Sequence, residues 1–160
     1  MNCMKTRATM QNSRKQTKFS HVLAQGTFDV LHLGHIRYLD FAKRHGKKLT
    51  VIVSRDSTVK RVKHHAPIFP ERIRVQMVRA LKGVDAAVLG GKGDILDKVV
   101  QLRPELIVLG YDQKVNEKEL QKKLAARGLI CSIIRAPSHA PHIHKSSKWK
   151  SRIVNEKNSN

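Results

Sequence analysis

GTFDVLHLGH, running from Gly26 to His35, is the stretch on which the reading of this chain turns. On its amino-terminal side HVLAQ, His21 to Gln25, is a short apolar run of the kind that makes a buried strand. On its other side, from Gly34 to Arg44, the residues Ile36, Leu39 and Ala42 fall on one helical face. The ten residues between are therefore a strand-to-helix turn, with His32 and His35 at the mouth of the helix. A helix N-terminus offers unsatisfied backbone N–H groups and a positive dipole end, and both suit phosphate. Two imidazoles three residues apart share a face of that first turn and reach the same anion. Gly26 lets the chain swing tightly off the strand, and Thr27 and Phe28 are expected to bring backbone N–H groups over a pocket there. Asp29 reads either as a turn former or as a carboxylate orienting a neighbouring group.

The periodicity repeats outward from this point. Gly46 stops the first helix, and KLTVIVS, Lys48 to Ser54, is a β-branched run that reads as a second buried strand. Arg55 to His65 is a strongly basic segment, read as a loop, with Pro67 and Pro70 bracketing a turn after it. Pro70 and Glu71 start a helix predicted to bury Ile73, Met77 and Leu81 and to turn Arg72, Arg79 and Lys82 outward. Val84 to Leu89 is a third strand, followed by a loop with Gly90, Gly91 and Gly93. Asp94 caps the next helix, with Asp97 at the capping-box position and Ile95, Val99 and Leu102 on one face.

Pro104 ends that helix, and Glu105 to Gly110 and Leu129 to Ile134 read as the fourth and fifth strands. They flank a lysine-rich amphipathic helix from Val115 to Arg127, stopped by Gly128. A loop from Pro137 to Pro141 then leads to a short closing helix, Ser146 to Val154. Strand and helix alternate throughout, so the expected class is α/β: a Rossmann-like, doubly wound, parallel five-stranded sheet with helices on both faces. The organisation expected is a basic flexible extension over 1–20, one domain over 21–154 and a short tail over 155–160.

Composition narrows the partners. The chain has 160 residues, 40% of them hydrophobic, enough for one packed domain. Lysine and arginine number 32 against 12 acids, a formal net charge of +20. The excess is not confined to the ends: between His21 and Pro137 there are 22 basic and 11 acidic residues. Such a charge concentrates anions, nucleotides among them, and also admits nucleic acid. Aromatic residues at only 4% and the lack of an RNA-module signature argue against nucleic acid as the principal partner. No apolar stretch is long enough to cross a bilayer, and the amino end lacks the apolar centre of a signal peptide. Cys3 and Cys131 have neither metal nor redox spacing, which points to unlinked thiols in a reducing cytoplasm. His139, His142 and His144 are spaced loosely with no acidic or cysteine partner near, so they read as loop residues, and no metal-ligand set is expected. Trp149 reads as a docking residue of the last helix, with stacking against a ring as the alternative.

Neither a P-loop nor a G-x-G-x-x-G is present. Instead GTFDVLHLGH resembles the G-x-F-D-x-x-H-x-G-H signature of the cytidylyltransferase-like nucleotidyltransferases. The likeness runs in order along the chain from His21 to Val154. Arg55 to Asp85 resembles the family's basic loop and the helix with an internal arginine, at Arg74, with Lys60 or Lys63 matching the phosphate-binding lysine. LGYDQ, Leu109 to Gln113, is similar to the strand end that receives base and ribose, and KSSKWKSRI, Lys145 to Ile153, to the closing helix that contacts the triphosphate.

The resemblance implies a site in which His32, His35, Lys60, Lys63 and Arg74 are catalytic. Gly26, Thr27, Phe28, Asp29, Gly34, Gly110, Asp112, Ser146 and Ser147 would bind the nucleotide, though Asp112, Ser146 and Ser147 also read as turn and cap residues.

Within that superfamily the chain looks most like the archaeal FAD synthetases, in VIVSRDSTVK, MVRALKGVD and LGYDQ above all. That implies ATP and FMN as substrates, Mg²⁺ or another divalent cation, and transfer of AMP to the FMN phosphate with release of pyrophosphate. It leaves a homodimer open. One segment departs from the pattern: SHAPHIH, Ser138 to His144, stands where a cysteine-containing segment is expected. The alternatives are glycerol-3-phosphate cytidylyltransferase, on the same skeleton, and a non-enzymatic nucleic-acid-binding protein.

Overall fold

The structure, a computed structural model, describes residues 19–138. Five strands form one sheet: β1 (Phe19–Gly26), β2 (Gly46–Val53), β3 (Ala86–Leu89), β4 (Leu106–Leu109) and β5 (Ser132–Arg135). Five helices connect them: α1 (Leu33–Lys43), α2 (Asp56–Lys63), α3 (Glu71–Arg79), α4 (Ile95–Leu102) and α5 (Glu117–Ala125). Every strand pair is parallel and the order is β3-β2-β1-β4-β5. The chain thus winds outward from β1 in one direction, then jumps back across it and winds the other way. The reversal falls between β1 and β4, the place where open parallel sheets bind ligands.

Alternation along the strands divides the core in two. Val22 and Ala24 of β1, with Leu106 and Val108 of β4, pack with Leu39 and Ala42 of α1 and Val75 and Val78 of α3. Leu23, Ile107 and Leu109 point to the other face, against Val99 of α4 and Leu124 of α5. Both faces are therefore covered, which is why these strands read as continuous apolar runs. The doubly wound expectation holds.

Several local expectations give way to tertiary contacts. The basic segment after β2 is largely helical, as α2, with Val59 its one buried residue. A single apolar anchor leaves no period to read in the sequence. In α3 the inward face is Arg74, Val75 and Val78, while Ile73 is exposed. The predicted stripe was wrong because a buried arginine occupies its centre. Asp94 caps α4 as expected, its carboxylate accepting the Leu96 N–H at 2.8 Å. Asp97, however, accepts from Arg127 at 2.7 Å. β1 begins at Phe19, two residues inside the expected extension, and Cys131 precedes β5 as a buried free thiol. The closing helix, Ser146, Ser147, Trp149 and the three loop histidines lie outside the described residues.

Candidate active site

The turn after β1 is shaped by one ring. Phe28 sits at φ +51°, in the left-handed region, and its side chain is 1% exposed. A Cβ on Gly26 would stand 2.9 Å from that ring, so position 26 must be glycine for Phe28 to fold back into the core. A non-glycine residue in this conformation costs energy that packing has to offset, and such residues gather at functional turns. His32 then caps α1, its carbonyl accepting from His35 N at 2.9 Å and Ile36 N at 3.3 Å.

His32 and His35 face each other at this helix start. Their ring centroids are 3.9 Å apart with planes 24° off parallel, and Phe28 lies 5.2 Å from His35 on a tilt. Burial, then the charges of His32 and Lys63, depresses the His35 imidazole to about 3. His35 is therefore neutral at physiological pH. Its Nδ1 is buried and meets no hydrogen-bond partner among the described residues.

A cleft of about 800 Å³ opens over the C-terminal edge of the sheet at the reversal point. One wall is the turn itself: Gly26, Thr27, Phe28, Asp29, His32, Gly34 and His35 all line it. Lys63 lines it from the end of α2, while Lys60 does not. The opposite wall is the loop after β4, with Gly110, Asp112 and Gln113, joined by Ala136 and Pro137 beyond β5.

Arg74, expected at this site, is fully buried beneath it. Its guanidinium donates to Phe69 O at 2.9 Å, Thr27 O at 2.5 Å and Ser54 O at 2.7 Å, and pairs with Asp56 at 2.7 Å. A planar fork with five donors suits such a junction, and it fastens the ends of β1 and β2 to the start of α3. Asp29 resolves as the orienting carboxylate: it is 2% exposed and accepts the N–H groups of Ile68 and Phe69, both at 2.9 Å. It holds the segment that leads into α3. Neither side chain is read as a simple surface or turn residue once these partners are in place.

Two residues of the site carried no signal in the sequence. Arg135 does for the second wall what Arg74 does for the first. It donates to the carbonyls of Gly110, Gln113 and Val115 at 2.8–2.9 Å and pairs with Glu117 at 3.1 Å. Tyr38, one turn into α1, donates its hydroxyl to Val108 O at 2.7 Å and accepts from Gln25 N at 3.2 Å. Burial raises its phenol above the ordinary range, so the hydroxyl keeps its proton at any working pH. No periodicity reports such partners, since both depend on which strand lies beside which.

Paired imidazoles at a helix start, a lysine on the same cleft and an opening at the strand reversal are what a nucleotide-handling α/β protein offers. Residues 23–155 match the cytidylyltransferase-like family, and the chain belongs to it. It is 43% identical to the FAD synthase of Thermoplasma volcanium over 133 residues, 83% of this chain and 93% of that protein. To the FAD synthase of Aciduliprofundum boonei it is 50% identical over 114 residues, 71% of this chain and 76% of that one. Among solved structures it is similar to a protein from Thermoplasma volcanium GSS1 described as a lipopolysaccharide core biosynthesis protein. The TM-score is 0.73 at 45% identity, covering 76% of this chain and 98% of that one.

Proposed function

We propose that this protein is an FAD synthase: it transfers AMP from ATP to the phosphate of FMN and releases pyrophosphate. The observation that carries this reading is the cleft at the β1–β4 reversal with His32, His35 and Lys63 on its wall, in a chain whose archaeal relatives bear that name.

The chemistry asks little of the protein beyond position and charge. A phosphate oxygen of FMN attacks the α-phosphorus of ATP. A new P–O bond forms, the bond to the β-phosphate breaks, and its electron pair leaves with pyrophosphate. The attacking oxygen is already anionic at neutral pH, so no catalytic base is needed. What lowers the barrier is in-line placement and donors aimed at the oxygens where charge gathers. His32 and His35 supply those donors, with the α1 N-terminus and Lys63 adding positive potential. Of the two candidate lysines, the cleft favours Lys63 over Lys60. Arg74 serves from beneath, by holding Thr27 and the α3 entrance in place. Ser146 and Ser147 keep the triphosphate-contacting role that the resemblance gives them.

A divalent cation belongs to this reaction as the companion of the triphosphate. Among the described residues no three His, Cys, Asp or Glu side chains are grouped to hold an ion, and the Asp29 carboxylate is occupied by two backbone N–H groups. Mg²⁺ is accordingly taken as arriving with ATP, as part of the substrate. A cytoplasmic location goes with this reading, and no helix among the described residues is long and apolar enough to cross a membrane.

Pyrophosphate release with ATP or CTP, each offered FMN or glycerol 3-phosphate in the presence of Mg²⁺, tests the assignment. ATP with FMN should be the productive pair and FAD the product. Turnover confined to CTP would overturn the flavin reading and leave the family intact.

A further inference from the structure

α2 carries its apolar stripe past the point where the core ends. Val59, its one buried residue, is 2% exposed, whereas Val62, three residues on and on the same face, is 62% exposed. The helix stops just beyond, where His64 turns to φ +58° with its N–H on Lys60 O at 2.9 Å. Val62 and Lys63 thus share the last turn, and both line the cleft.

A second apolar side chain meets the cleft from α4. Ile95, the first residue of that helix after its Asp94 cap, is 39% exposed. Of the large hydrophobic side chains left exposed among the described residues, Val62 and Ile95 are the two that line the cleft. The approaches to the two helices are tied together by Arg55, the N-cap residue of α2. Its Nε donates at 2.7 Å to the carbonyl of Gly90, between β3 and α4, while its Nη1 pairs with Glu71 at 2.8 Å.

Single exposed apolar residues are ordinary on an open surface, but a ligand cleft is where covering them stabilises a complex. Here they stand beside a lysine, so the molecule that covers them joins an apolar body to an anionic group. The nucleotide already has its places: the family resemblance gives the loop after β4 to base and ribose, and the α1 start to the phosphates. The side made by α2 and α4 remains for the acceptor, and FMN is a phosphate joined to a flat ring whose dimethylbenzene end is wholly apolar.

We propose that Val62 and Ile95 are specificity-determining residues for the acceptor, seating the flavin ring by its dimethylbenzene edge. The inference rests on the FAD synthase reading. It adds where the acceptor ring lies, and it explains preference among acceptors: glycerol 3-phosphate has no ring for these two side chains to cover.

Steady-state KM for FMN at saturating ATP, and for ATP at saturating FMN, tests it in wild type, Val62→Ser and Ile95→Ser, with circular dichroism to check the fold. Each serine should raise KM for FMN by roughly 5- to 20-fold, the scale of losing part of one buried aliphatic side chain, and leave KM for ATP within about 2-fold. Val62→Ile keeps the apolar surface and should hold KM for FMN within about 2-fold of wild type. With 7,8-didemethyl FMN as acceptor the cost of each serine should shrink to about 3-fold or less, because the methyl groups that the side chains cover are gone. Ile95→Thr replaces Ile95→Ser in these comparisons should the serine variant fail to fold. Three results would overturn the proposal: an unchanged KM for FMN in either variant, a KM for ATP that rises alongside it, or a serine cost undiminished on the didemethyl acceptor. Failure of wild type to release pyrophosphate from ATP and FMN would instead refute the activity on which the inference stands.

Discussion

His35 is the residue on which the proposed chemistry leans most. It is packed between His32 and Phe28, and burial keeps it neutral down to about pH 3. Removing a donor from a preorganised anion site typically raises the barrier by about 2.7–4 kcal/mol. His35→Ala should therefore lower kcat by roughly 100- to 1000-fold, with circular dichroism and melting showing an intact fold. The same ring is expected to make the protein's stability fall in acid. Its pKa is near 6.5 unfolded and about 3 folded, so the unfolded state binds more protons between those values. Stability contributed by a neutral His35 is present above pH 6.5 and is lost as pH falls toward 3. His21, which burial also lowers, adds in the same direction. Melting temperatures measured from pH 7 to pH 4 should fall less steeply for His35→Gln than for wild type. An equal slope would show that His35 does not carry the effect. That the two rings meet at the helix start was legible from their three-residue spacing. The depressed pKa was not, because it depends on Phe28 folding back beneath the ring.

At the level of elements, two arginines at strand and helix ends hold the cleft walls. Arg74 joins the turn after β1 to β2 and α3, and Arg135 gathers the loop after β4. Breaking a buried charge junction is expensive because the remaining groups stay buried without partners. Arg74→Ala should destabilise the protein by about 3–5 kcal/mol in urea unfolding, and Arg74→Lys should recover only part of it, since an ammonium lacks the fork. A loss of rate with unchanged stability would contradict the structural role. The boundaries of β1, β2, α1 and α5 were readable to within a few residues because their patterns are regular and Gly46 and Gly128 mark the helix stops. α2 and the inward face of α3 were not. Their positions are decided by Arg74 and the Asp56–Glu71 connection, in which Asp56 N donates to Glu71 and Glu71 N to Asp56. Hydrophobic periodicity does not see such bonds.

For the whole molecule, topology does the placing. An order of β3-β2-β1-β4-β5 puts the α1 start, the α2 end and the loop after β4 around one opening, although they are up to about eighty residues apart in sequence. Alternating strand and helix signals gave this class, and the motif gave one wall. The second wall was visible only as LGYDQ; Arg135 and Tyr38 became meaningful once β4 was seen beside β1 and β5. The net charge of +20 is then read as a field that draws anionic substrates toward the opening. The most direct test is a crystal structure of the full chain with FMN and an ATP analogue whose α,β-bridging oxygen is replaced by methylene. The triphosphate should lie at the α1 N-terminus with oxygens within hydrogen-bond distance of His32 and His35. A triphosphate bound elsewhere, with both imidazoles left facing solvent, would contradict the assignment.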